Sequence, residues 1–138
     1  MSQNVKFRKQ FHCVYALNYH LVIVTKYRRR CITAPILASL KEIAAQRCTD
    51  WGGELIEFNG EPDHVHMLME LPPSLDLSKF VNNLKTTSSR LIRRDFAGQL
   101  AHVYRKPVFW SRSYCIISCG GAPPVSYTHL TLPTNREV

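Results

Sequence analysis

Apolar positions change their spacing along the chain, and each change marks an element. Over residues 14–25, VYALNYHLVIVT is dense in aromatic and β-branched residues, which suit a pleated, half-buried surface. It ends at the cationic stretch KYRRR, so a first strand running into a basic loop is expected. In APILASLKEIAAQRCTDWGG, Ile36, Leu37, Leu40, Ile43 and Ala44 fall at helical spacing, with Pro35 early and Gly52 and Gly53 past the end, which predicts an amphipathic helix. ELIEFNG then alternates through Leu55, Ile56, Glu57 and Phe58 before the turn residues Asn59 and Gly60. HVHMLMEL resumes the alternation, and the two runs predict a hairpin. SLDLSKFVNNLKTTSSRLIRRDF gathers Leu77, Phe80, Val81, Leu84, Leu91 and Ile92 on one side of a second helix, with Ser74 as the expected N-cap. A connector leads to SYCIIS, a fourth strand, and then to the breaker cluster CGGAPP. The order strand, helix, strand, strand, helix, strand predicts an α+β fold of the ferredoxin-like, split βαβ kind, its antiparallel sheet covered by helices packed on one face.

Composition narrows the partners. The 138 residues fit one domain, and 45% hydrophobic with 20% charged residues is an ordinary globular balance. Eighteen Lys and Arg against ten Asp and Glu leave a formal charge of +8, which favours polyanions, nucleic acid before an anionic membrane surface. No apolar run approaches the roughly 18 to 20 residues of a bilayer span, and the first ten residues lack a signal-peptide core, so a cytoplasmic protein is expected. Cys13, Cys31, Cys48, Cys115 and Cys119 are odd in number and scattered, which predicts reduced thiols, mostly buried, and no zinc knot.

EPDHVHMLMELPP places His64 and His66 two residues apart within an alternating run, so on a strand both project from one face while Val65 and Met67 project from the other. Two readings fit that spacing: a shared divalent cation, or two open-face residues satisfied by water. Asp63 is open in the same way, either an outer partner that orients an imidazole or a turn residue.

The neighbours of the pair carry a resemblance. PDHVHMLMELPPS, then KFVNNLKTTSSRLIRRDF, then VFWSRSYCIISCGGAP, preceded by YHLVIVTKYRRR, resemble in order the motifs of the IS200/IS605 family of single-strand DNA transposases, a branch of the HUH nucleases, over residues 11–123. The resemblance implies that His64 and His66 hold a divalent ion, magnesium or manganese, that polarises a scissile phosphate. It implies a tyrosine nucleophile on a helix after the fourth strand, a 5′-phosphotyrosine intermediate, homodimers that share active sites, and single-stranded DNA with hairpin element ends as partner.

The chain departs from that pattern after GGAP. Counting from Gly120, the nucleophile position falls on Leu130 and the polar position one turn later on Thr134; Tyr127 stands three residues early, between Pro124 and Pro133 in a segment ill suited to a helix. VSYTHLTLPTNREV resembles the translation of a sequencing-library adaptor. A transposase catalytic domain over residues 1–123, truncated at its C-terminal side, and a non-native tail over 124–138 are therefore expected, with cleavage impaired for lack of the tyrosine helix.

Two basic clusters are candidate DNA contacts: Lys26, Arg28, Arg29 and Arg30 in the first loop, and Lys85, Arg90, Arg93 and Arg94 on the second helix. Phe7, Tyr19 and Tyr27 interleave with them and could stack bases or pack inward. Two rivals to the transposase reading remain. One is a non-catalytic nucleic-acid-binding module, whose ferredoxin-like sheet would show aromatics on its central strands. The other is a zinc hydrolase, which needs a third ligand, with His20 the one candidate nearby.

Overall fold

In β1 (Leu17–Thr25), Leu21 and Ile23 point into the core and are 0% and 1% exposed. A single 3-10 turn (Lys26–Arg28) leads to α1 (Ala34–Asp50), where Pro35 opens the first turn and Ile36, Leu40, Ala44 and Cys48 form a buried stripe at a spacing of four. β2 (Glu54–Glu61) and β3 (His64–Leu71) form a hairpin; α2 (Leu77–Asp95) buries Phe80, Val81, Leu84, Ser88 and Ile92; a short α3 (Ala97–Leu100) and a connector lead to β4 (Trp110–Ser118). This computed structural model describes residues 17–119. The readings for Phe7, Cys13, residues 14–16, Tyr127, Leu130, Thr134 and the boundary at Pro123 lie outside the described residues.

The sheet runs β2-β3-β1-β4 with every pair antiparallel, and the side chains of α1 and α2 share one core with Leu21, Ile23, Val65, Met67, Met69 and Leu71. The expected α+β architecture, an antiparallel sheet with its helices on one face, is the one observed. Ser88 ties α2 to β4: its hydroxyl donates to the Leu84 carbonyl (2.7 Å) and accepts from Trp110 Nε1 (2.9 Å), which leaves no buried donor idle there.

Four details differ from the sequence reading. The hairpin turns at Pro62 and Asp63, because Asn59 and Gly60 are ladder residues opposite His66 and Val65. Gly60 is needed for close packing: a Cβ there would stand 2.6 Å from Leu37 Cδ1 of α1. A bulge at Ile56 resets the alternation, so Leu55 and Phe58 both face the core while Ile56 is 46% exposed. The N-cap of α2 is Asp76, which accepts the Lys79 N–H at 3.2 Å, whereas Ser74 belongs to the turn closed by Leu75 N–H on Pro72 O. β4 starts at Trp110, three residues before SYCIIS, since Trp110 pairs with Thr25 past an irregularity in the register.

Candidate functional site

β3 carries the histidine pair on the face away from α1 and α2. Val65 and Met67 are 1% and 2% exposed in the core, while His64 and His66 sit half-buried on the opposite face, ring centroids 5.9 Å apart and planes 28° from parallel. The tight turn places Asp63 beside them. His64 Nδ1 is the donor of a hydrogen bond to Asp63 Oδ1 at 2.9 Å, and Arg28 donates to the other carboxylate oxygen at 3.2 Å. Of the two readings of Asp63, the turn residue is the one observed, and its carboxylate also bonds one imidazole. Its carbonyl accepts from the Thr25 amide (3.0 Å), and its carboxylate accepts from the His64 imidazole (2.9 Å). Burial alone would raise the Asp63 carboxyl, but the bonds from His64 and Arg28 outweigh it and hold it below the usual carboxylate range. Burial, then the neighbouring His64, hold His66 below its ordinary value, with Glu61 and Glu57 pulling the other way; the favoured neutral ring is the ligating form.

His20 lies edge-on to His66, centroids again 5.9 Å apart, and burial followed by His66 lowers it as well. Among the described residues, however, no three His, Cys, Asp or Glu side chains gather as a zinc site requires, so His20 does not complete a zinc set. The strand register also places no Phe, Tyr or Trp beside the histidines. Their cross-strand partners are Asn59, Glu61, Val22 and Val24, and Tyr19 and Tyr114 pack against the core. Cys31, Cys48 and Cys115 are free thiols; Cys31, Cys48 and Cys119 are buried, and burial pushes Cys48 up to about 12.

The basic loop is built on strained backbone. Tyr27 and Arg28 are consecutive non-glycine residues in the left-handed region, with φ of 59° and 54°, a conformation that costs roughly 1–2 kcal/mol per residue. Four bonds hold it: Thr25 Oγ1–H to Arg29 O (2.7 Å), Tyr104 O–H to Lys26 O (2.7 Å), Lys26 N–H to Phe109 O (2.9 Å) and Arg29 N–H to Lys26 O (3.3 Å). Arg28 is drawn to Asp63, Lys26 Nζ lies over the Tyr27 ring, and Arg29 and Arg30 are exposed.

The second cluster is used differently. Lys85 Nζ donates to Ser111 O (2.7 Å) and Arg112 O (3.0 Å), and burial, then nearby Lys26, lower its pKa. Arg93 Nε donates to Ser89 Oγ and Arg94 pairs with Asp95, while Arg90 is exposed. The sequence reading missed Arg105 and Lys106. They line a cleft of about 490 Å³ opposite Lys26, Tyr27 and Arg29, and the YRKP stretch, an aromatic beside two cations, was the available signal.

Comparison with known proteins first places this fold among transposases. A crystal structure of a candidate transposase from Deinococcus radiodurans R1 superposes with a TM-score of 0.75 at 26% identity, covering 99% of this chain and 97% of that one. A REP-associated tyrosine transposase bound to a REP hairpin shares the fold at a TM-score of 0.54 and 15% identity, over 94% of this chain and 67% of that one. The chain belongs to the IS200-like transposase family, whose model matches residues 13–129. It is 32% identical over 109 residues to the transposase of insertion sequence IS200 from Salmonella typhimurium LT2 (79% of this chain, 71% of that one). It is 33% identical over 105 residues to the ISDra2 transposase TnpA of Deinococcus radiodurans (76% and 74%).

Proposed function

We propose that this chain is the DNA-binding and metal-holding frame of a single-strand DNA transposase, with His64 and His66 as the protein ligands of a divalent ion. The observation that carries the reading is the chain Arg28, Asp63, His64 beside His66: a carboxylate that fixes the tautomer of one imidazole is the usual second layer of a metal site. Two nitrogen donors leave the remaining positions to water or phosphate oxygen, and they suit manganese better than the harder magnesium. The bound ion would supply Lewis acidity toward a phosphate oxygen. The protein's own part is to keep the His64 proton on Nδ1 and to hold the DNA backbone against the basic loop.

In the full reaction a tyrosine oxygen would bond to the scissile phosphorus as the 3′ oxygen leaves, giving a 5′-phosphotyrosine and conserving the ester for rejoining. We assign residues 1–123 to the catalytic domain and 124–138 to a non-native tail. Tyr127, out of register, would then be a poor nucleophile, since misplacement of about an ångström costs on the order of a hundredfold. Hairpin-bearing single strands as substrate, a homodimer and action in the cytoplasm belong to the same proposal. Because this chain shows no tyrosine in register, a second reading stands beside it: a DNA-binding module without cleavage.

The test is a nicking assay on single-stranded hairpin DNA with manganese, comparing this chain with a version carrying a family-like tyrosine helix. The restored protein should form a covalent adduct with DNA that His64→Ala or His66→Ala abolishes. No adduct with both histidines intact would leave the binding module. Calorimetry should show manganese binding lost in either alanine variant, and unchanged affinity would remove the ligand assignment.

A further inference from the structure

The cleft between the strained turn and the 103–108 connector takes no part in the metal site, yet it has the composition of a ligand site. Its rim holds Lys26, Arg29, Arg105 and Lys106, and its aromatic content is Tyr104 and Tyr27, the latter 71% exposed. Its lining contains no acidic residue. Among the described residues no carboxylate pairs with Arg29, Arg105 or Lys106, whereas Arg28, Arg47 and Arg94 all have acidic partners. Excess positive charge in a concavity selects an anion. A volume of about 490 Å³ fits a small-molecule unit, within the range of roughly 300–1,000 Å³ common for ligand pockets. Beside it a second depression of about 150 Å³ shares Tyr104 and Lys106 and reaches Arg93 of α2, so the cationic surface extends past the cleft as a strand of linked phosphates would require.

The backbone adds an independent argument. A left-handed Tyr27 is unfavourable and persists because Thr25, Tyr104 and Phe109 over-determine the turn; such strain collects where a side chain must be presented for binding. The presented side chain is an exposed aromatic ring with Lys26 Nζ 5.4 Å from its centroid, suited to stacking a base. We infer that this cleft is a subsite for one unpaired nucleotide of single-stranded DNA, its base against Tyr27 and its flanking phosphates on Arg29, Arg105 and Lys106. The inference rests on the proposed single-stranded DNA substrate and adds where an unpaired base is held.

Fluorescence anisotropy with oligothymidylate and with a fully abasic strand of equal length separates base from phosphate binding. The unaltered chain should prefer the base-bearing strand by about tenfold. Tyr27→Gly, which suits the left-handed backbone and removes only the ring, should erase that preference while the abasic strand still binds. Tyr27→Trp should restore it, and Arg105→Ala with Lys106→Ala should weaken both strands. A base preference unchanged in Tyr27→Gly would overturn the subsite and leave the transposase proposal standing. Failure of the unaltered chain to bind either strand would overturn both.

Discussion

The turn after β1 and the stretch of α2 from Lys85 to its end each carry four cations, and they hold them differently. In the turn the backbone is strained and fastened by buried Thr25 and by Tyr104, while Arg29 and Arg30 are left exposed. In α2 the backbone is regular and three of the four charges are answered, Lys85 by two carbonyls of β4, Arg93 by Ser89 and Arg94 by Asp95, while Arg90 is exposed. A regular helix sets the direction of each side chain by its period, so Arg93 finds Ser89 one turn away. An irregular turn can present several cations together, at the cost of strain that other contacts must offset. Equal charge counts therefore leave unequal numbers of cations exposed. The turn is also wired to the histidines through Arg28 and Asp63, a link α2 lacks among the described residues.

The largest expected effect cuts that wire. Asp63→Ala should lower manganese affinity by about 10- to 100-fold in calorimetry, the usual loss for an outer partner of a ligating histidine; an affinity within twofold of the original would make Asp63 a turn residue alone. Next comes the contrast itself. Arg29→Ala with Arg30→Ala should weaken single-strand binding by about tenfold and flatten its salt dependence by about 1.4 logarithmic units, two phosphate contacts at roughly 0.7 each. Arg94→Ala with Lys85→Met should change that slope by less than about half a unit. Equal slopes for the two pairs, measured by anisotropy across a salt series, would erase the distinction between turn and helix. The cost of Lys85→Met should appear instead as about 1 kcal/mol in urea denaturation, because Ser111 and Arg112 carbonyls lose a charged donor at a half-exposed site.

Much of the frame was legible because its signals are local. The stripe Ile36, Leu40, Ala44, Cys48 and the alternation Val65, Met67, Met69, Leu71 state their own period, and the i, i+2 spacing of His64 and His66 fixes their common face. What escaped depends on distant neighbours. Asn59 and Gly60 look like a turn, but Gly60 serves the approach of Leu37 to the sheet. Lys85 looks like a surface charge, but β4 supplies its acceptors from residues 26 and 27 positions away. The cleft joins residues 26–29 to 103–108, two stretches that no periodicity connects, which is why Arg105 and Lys106 went unread.

The smallest expected effect bears most directly on why the turn differs from the helix. If strain in the turn is kept for the sake of the Tyr27 ring, removing the ring with a residue that accepts the same backbone should cost the fold nothing. Tyr27→Gly relieves about 1–2 kcal/mol of left-handed strain. Against this stand a cation–π contact to Lys26 of about 0.5–1 kcal/mol at an exposed position and the greater freedom of glycine in the unfolded chain, up to about 1 kcal/mol. The net change in urea denaturation should thus lie within about 0.5 kcal/mol of zero while base-dependent DNA binding falls. A loss above about 1 kcal/mol would mean that the ring holds the turn together, and then turn and helix would both use their residues for stability, differing in degree alone.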